Sequence, residues 1–291
     1  MKPAAFEYYR PRTLGEALSL LAEYGEDAKP LAGGQSLIPA MNFRLATPAV
    51  LIDLNDLVEL SYVRNGSGTV RIGSMTRQSL IERDPMVSAT AALVTEAMPY
   101  VAHRAIRNRG TVGGSLAHAD PAAELPAVMM ALNARLTVSG TTESREVPAA
   151  EFFTGLFTTA IQPGELLTEV TIPPQPPNSG HAFEEISRRH GDFALVGVAA
   201  VVQLDGSGLC AGARIALLSV GDRAMLATHA EEVLVGHQPS PELTRAAAEA
   251  ASAKDIDPST DIHASARYRR QLAAVLTRRV LDRAFARARS G

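Results

Sequence analysis

Two glycine pairs stand out as groups able to hold a ligand. They lie in Ala32-Gly33-Gly34-Gln35-Ser36 and in Thr111-Val112-Gly113-Gly114-Ser115. Each follows an apolar stretch and runs into a hydroxyl side chain. A glycine pair permits positive φ and lets backbone approach a bound molecule closely. Consecutive amides can then point at a phosphate, with Ser36, Thr111 and Ser115 adding hydroxyl donors. Two such loops could grip one pyrophosphate from two sides. The plainer alternative is that both are tight turns. Neither reads G-x-G-x-x-G and neither is followed by Lys-Ser/Thr at the P-loop spacing, so a Rossmann site and an NTPase site are not indicated.

Arg104, Arg107 and Arg109 precede the second pair and could offset phosphate charge, or form the solvated end of a helix. His118 and Asp120 follow it, but a His and an Asp alone make a weak metal or general-base set. Glu124 sits among apolar residues, where a carboxylate wants a hydrogen-bonding partner such as a sugar hydroxyl or a backbone amide. No G-x-S-x-G elbow supports a serine hydrolase. The arginines between Arg267 and Arg289 could dock a partner or form a solvated helix face.

Composition narrows the field. The chain has 291 residues, 46% hydrophobic and 20% charged, with a formal net charge of −3. That is ordinary for a globular chain of two or three domains. No basic excess exists to hold a nucleic acid, and with no Trp a base-stacking platform is not expected. The single cysteine, Cys210, cannot ligate an iron–sulfur cluster, which takes about four thiolates. No apolar run approaches the ~20 residues of a membrane span, and the first residues lack a signal-peptide core, so a cytoplasmic, non-integral protein is expected.

The elements that must position these residues are short in the first half. Residues 6–9 read as a strand, and Thr13-Leu14-Gly15-Glu16 has capping-box spacing for a helix ending near Gly25. Residues 29–32 and 50–54 are strands, giving a small βαβ-like unit, and Ser36 could cap a short helix. Residues 60–64 and 69–73 flank Asn65-Gly66-Ser67-Gly68 as a hairpin. Helices are predicted over 76–83, 88–107 and 122–133, and strands over 134–138 and 144–147. The Pro-rich stretch 173–180 is the strongest boundary signal. Beyond it come strands at 182–187, 197–204 and 213–219 of one sheet, then helices at 224–234, 241–253 and 265–289.

The ordered set Ala32–Ser36, Arg107–Ser115, Ala119–Glu124, Ser187–Phe193 and Tyr268–Arg270 resembles the FAD-binding medium subunit of molybdenum hydroxylases. Within that xanthine dehydrogenase family, the resemblance is greatest to carbon monoxide dehydrogenase flavoprotein subunits and relatives acting on N-heterocycles. It covers nearly the whole chain. It implies an α+β fold: a two-subdomain FAD-binding unit of the vanillyl-alcohol oxidase type (residues 1–56 and 57–175) plus a C-terminal α+β domain (176–291).

The resemblance further implies one FAD, held by Leu31, Ala32, Gly33, Gly34, Gln35, Ser36, Leu37 and Ile38 and by Thr111, Gly113, Gly114, Ser115 and Glu124. It puts Leu167 and Phe193 near the flavin ring and no catalytic residue on this chain. Glu184 falls where xanthine dehydrogenase relatives carry a lysine near the flavin, which argues against NAD reduction. The implied partners are an iron–sulfur small subunit with [2Fe-2S] clusters and a large subunit with a molybdopterin-type cofactor. These would form a dimer of heterotrimers that oxidises carbon monoxide, an N-heterocycle or an aldehyde. Electrons would leave to an external acceptor such as a quinone, with a peripheral place at the inner face of the membrane as a further expectation. A cofactor-free structural module on the same scaffold is the alternative, and a visible absorption spectrum separates the two.

Overall fold

The computed structural model describes residues 1–290. The first unit is a three-stranded parallel sheet of β1 (Glu7–Tyr9), β2 (Ala28–Leu31) and β3 (Val50–Asp53), with β3 in the middle. Helix α1 (Leu14–Tyr24) packs Ala17, Leu18 and Leu21 against it. The predicted cap is present in altered form. Thr13 Oγ1 accepts from the Glu16 amide at 3.2 Å, but Glu16 reaches back to the Arg12 amide at 2.8 Å rather than to Thr13. Helix α2 (Leu37–Asn42) starts after Ser36, whose hydroxyl makes no cap.

The second unit is a five-stranded antiparallel sheet. It holds β4 (Val63–Gly66), β5 (Thr69–Gly73), β6 (Arg135–Ser139) and β7 (Ser144–Pro148) around a central strand that sequence reading did not find. The β4–β5 hairpin turns at Ser67-Gly68, both at positive φ, which shifts Asn65-Gly66 into the strand. The single helix expected over 88–107 is broken into four pieces. After α3 (Gln78–Ile81), which falls within the separate helix expected over 76–83, the four pieces are α4 (Pro85–Thr90), α5 (Ala92–Ala97), a 3₁₀ turn at Met98–Tyr100, and α6 (Arg104–Arg107). Ala91 leaves helical geometry and Ala102 turns at φ 43, so continuous helix is impossible there. Next come α7 (Val112–His118), α8 (Glu124–Ala131), α9 (Ala149–Phe152) and the hairpin β8 (Phe153–Gly155)–β9 (Thr158–Thr159). The unforeseen central strand is β10 (Leu166–Ile172), which buries Glu169 against Arg71 at 2.8 Å and Tyr62 at 2.6 Å.

The last unit is an antiparallel sheet of β11 (Ser179–Ser187), β12 (Ala194–Leu204), β13 (Cys210–Leu218) and β14 (Met225–Leu226). Helices α10 (Thr228–Leu234), α11 (Pro241–Lys254) and α12 (Ala266–Ala288) follow, the long last one laid on β11 and β12. Strand alternation divides its residues. Ala182 and Val198 pack under α12, whereas Phe183, Ala199, Ala216 and Leu218 join the core of the second unit with Leu93 and Val128. The hydrophobic core therefore runs through the Pro-rich boundary.

The arginines of α12 are neither a free docking face nor merely solvated. Arg269 is buried and pairs with Asp261 at 2.7 Å, Arg279 and Arg283 both hold Glu184, and Arg287 reaches Glu96 on α5 at 2.6 Å. They clamp the helix to the rest of the chain. Among the described residues no helix is long and apolar enough to cross a membrane.

Candidate functional site

The two glycine pairs, far apart in sequence, meet. The first lies in the turn between β2 and α2, at the carboxyl end of the parallel sheet. The second opens α7. A Cβ built on Gly33 would lie 2.4 Å from the Arg109 carbonyl oxygen and 2.7 Å from Gly110 Cα, so only glycine lets the loops touch. A Cβ on Gly114 would lie 3.4 Å from that of Ala32. Leu31 and Ile38 flank the first loop and pack around Gly34.

The two loops differ in how their amides are engaged. Of the four glycines only Gly34 has positive φ, at 72°. The amides of the second loop are already engaged. Val112 donates to the Thr76 carbonyl at 3.0 Å and Gly113 to Ser74 at 2.8 Å, while Gly114 and Ser115 donate to Thr111. Thr111 is the N-cap of α7: its Oγ1 accepts from the Gly114 amide at 3.0 Å, which leaves its O–H as a donor. Gly113 is required because a Cβ there would meet Ser74 Cβ at 2.4 Å. In the first loop, by contrast, the amides of Gly33, Gly34, Gln35 and Ser36 have no acceptor among the described residues. The second loop is a packed wall; the first carries the open donors, and the Ser36 and Ser115 hydroxyls have no partner among the described residues.

Other candidates separate. Arg107 is buried on Glu82 at 3.0 Å and on the Val101 carbonyl at 2.8 Å, so it holds α6 rather than a ligand. His118 stacks on Phe157 at 5.1 Å, and Asp120 caps the turn at Ala122. No group of three or more His, Cys, Asp or Glu is placed to hold a metal among the described residues. Leu167 is buried in β10 beside Thr168, whose carbonyl takes the Ser74 amide at 2.9 Å, so it lies behind the second loop. Phe193 is 72% exposed. Its loop packs on α6, since a Cβ on Gly191 would sit 2.2 Å from the His103 ring. Glu184 faces α12, and the β11 carboxyl on the opposite, core-facing side is Glu185.

A family model described as the FAD binding domain in molybdopterin dehydrogenase matches residues 4–175. The chain belongs to this FAD-binding family. A second model, the CO dehydrogenase flavoprotein C-terminal domain, matches residues 181–284. A 6-hydroxypseudooxynicotine dehydrogenase complex subunit alpha from Paenarthrobacter nicotinovorans is 43% identical over 99% of this chain and 97% of its own. The carbon monoxide dehydrogenase medium chain of Afipia carboxidovorans is 40% identical over the whole of both chains. A solved carbon monoxide dehydrogenase from Hydrogenophaga pseudoflava superposes with a TM-score of 0.96 at 39% identity, covering 99% of each chain.

The FAD-binding family is thus an oxidoreductase family, and this chain is an FAD-binding medium subunit of the molybdenum hydroxylase type. The residues present fit FAD. The row of free amides in the first loop suits a diphosphate, and the glycine cradle would be filled by any side chain.

Two buried carboxyls lie near each other in the interior. Glu124, the first residue of α8, is 7% exposed, and burial pushes its carboxyl up to about 7. Glu185 is 9% exposed, its Oε2 has no partner, and burial with the nearby Glu124 charge pushes it up to about 9. Sequence reading found Glu124 and missed Glu185, whose only local signal is the register placing it opposite Gly197. Both groups are raised from 4.5, so their contribution is complete below about pH 4.5 and is lost as pH rises through 7 and then 9. Melting of the flavin-free chain is expected to weaken between pH 6 and 9. Glu185→Gln should flatten that fall and raise the melting temperature at pH 9. A slope unchanged by the substitution would mean that Glu185 ionises alike in the folded and unfolded chain, with no raised value to lose.

Proposed function

We propose that this chain is the electron-transfer subunit of a heterotrimeric molybdenum hydroxylase, assembled as a dimer of trimers. The open amide row of Gly33–Ser36 against the packed wall of Gly113-Gly114 carries the reading, because it is a diphosphate cradle with no acid–base set beside it. In this role Gly33, Gly34, Gln35 and Ser36 donate to the FAD diphosphate, and Ser115 adds a hydroxyl. Leu31, Leu37 and Ile38 shield the cradle from water. Glu124 accepts from a sugar or ribityl hydroxyl, and Leu167 and Phe193 border the ring.

Bound FAD supplies the conversion between single electrons delivered by partner iron–sulfur clusters and a two-electron transfer to an external acceptor such as a quinone. The relatives' names, a carbon monoxide dehydrogenase and a nicotine-derivative dehydrogenase, support a partner subunit that oxidises carbon monoxide or an N-heterocycle at molybdenum. One buried cysteine supports the need for that partner, since it cannot form a cluster. The boundaries at 56 and 175 and a peripheral membrane position are parts of the same proposal.

The test is anaerobic bleaching of the flavin band. The isolated chain given carbon monoxide or an N-heterocycle should stay yellow, and it should bleach once the iron–sulfur and molybdenum subunits are added. Bleaching by substrate in the isolated chain would overturn the relay reading. A colourless chain that takes up no FAD would favour the structural module.

A further inference from the structure

A chain of polar contacts joins the two glycine loops from behind. Asn55, just past β3, donates from Nδ2 to the Ala32 carbonyl at 3.0 Å. Its Oδ1 accepts from an Arg77 guanidinium nitrogen at 2.6 Å. The other terminal nitrogen of Arg77 donates to the Arg109 carbonyl. That carbonyl is the atom against which Gly33 is pressed.

Both anchors are themselves held. The Asn55 amide donates to Asp53 Oδ1 at 3.0 Å, and Asp53 takes the Tyr8 hydroxyl on its other oxygen at 2.5 Å. The Arg77 backbone pairs with Thr111 as a β-bridge, and the Gln78 amide donates to Gly110 at 2.9 Å. Arg77 is therefore laced to the second loop by its backbone and reaches the first loop through Asn55.

We propose that Asn55 and Arg77 are positioning residues for the flavin diphosphate: in series they tie the first glycine loop to the second and set the width of the cleft. The proposal rests on the reading that these loops hold FAD. The first loop carries the open amides but is only a turn between a four-residue strand and a short helix. Left to itself it would sample several widths, and ordering it would be charged to FAD binding. The tie settles that order in advance. Two features show that a guanidinium, rather than any donor, is used. Its fork bonds two acceptors from two different units at once. It is also half-buried with no salt-bridge partner among the described residues, and burial and then the Arg109 charge disfavour its cation, which the more distant Asp53 offsets only in part. An anion entering the cleft relieves that cost.

The test uses the full chain stripped of flavin and titrated with FAD, with the melting temperature of each flavin-free variant alongside. Asn55→Ala and Arg77→Gln should each weaken FAD binding roughly tenfold, and the double variant should bind no more weakly than the worse single one, because a series link breaks only once. Arg77→Lys, which keeps the charge but not the fork, should lose affinity as Arg77→Gln does. Flavin-free melting temperatures should stay within a few degrees of one another, so that lost affinity is not lost folding. Losses that multiply in the double variant, wild-type affinity in Arg77→Lys, or unchanged affinity in both single variants would each overturn the tie. Failure of the unsubstituted chain to bind FAD would instead overturn the cofactor reading on which it rests.

Discussion

Gly33→Ala is expected to empty the chain of flavin. The added methyl would sit 2.4 Å from the Arg109 carbonyl oxygen and 2.9 Å from its carbon, which are backbone atoms with no rotamer to escape into. Relief requires the two loops to part. Overpacking of this kind costs ~1–3 kcal/mol, which at 1.4 kcal/mol per decade is roughly a 5- to 140-fold loss of affinity. Because the clash lies at the seam and not in a core, the flavin-free fold should survive with a modestly lower melting temperature. Gly140→Ala is the control: its methyl would meet Glu143 and Glu165 at 3.7 and 3.9 Å, ordinary contact distances. Flavin content per chain, read from the visible band after gel filtration, decides the matter. Equal content in the two variants would mean that the loops need not touch to hold the cofactor.

The largest loss of stability is expected from Gly180→Val. Gly180 lies in β11 directly beneath α12, and a Cβ there would meet the Ala284 carbonyl oxygen at 1.9 Å and the Ala288 amide at 2.5 Å. The helix backbone must lift from the sheet. Lifting it exposes Ala182, Leu276, Val280 and Ala284 and weakens the Arg279, Arg283 and Arg287 clamps. A cost of about 3 kcal/mol or more follows, and at roughly 2–4 °C per kcal/mol for a chain of this size melting should fall by ~6–12 °C. Gly206→Val, with open space around the same atom and no positive φ, should melt within about a degree of the parent. Matching transitions for the two variants would show that α12 is not seated through Gly180.

The difference between the two glycine pairs explains why part of the site was legible and part was not. Gly-Gly followed by a hydroxyl residue is a local pattern, and it located both loops. Whether an amide is free depends on what lies across from it. The Gly113 amide is consumed by Ser74, and nothing near Gly113 in sequence announces that. Strand β10 escaped notice for a related reason. Its run Leu-Leu-Thr-Glu-Val-Thr-Ile lacks clean alternation because Glu169 is buried, and Glu169 is tolerable inside only because Arg71 and Tyr62 arrive from elsewhere. Glu184 and Glu185 are neighbours of one type, and the pleat alone sends one to the α12 arginines and the other into the core.

By itself, then, the sequence determined what depends on residue type and short spacing. That covers the paired glycine loops, the capped first helix, the parallel unit, the long final helix and the family likeness carried by the order of motifs. It also determined that this chain cannot ligate a cluster, since one thiol is one thiol in any fold. Only the tertiary structure decided which loop offers donors and which is a wall, that Arg107 is a prop and Arg77 a tie, and that Arg269, Arg279, Arg283 and Arg287 of α12 pair with carboxylates. Those are facts about partners brought together over large sequence separations. A backbone amide or a guanidinium has no role until burial removes its water and fixes the one acceptor left within reach.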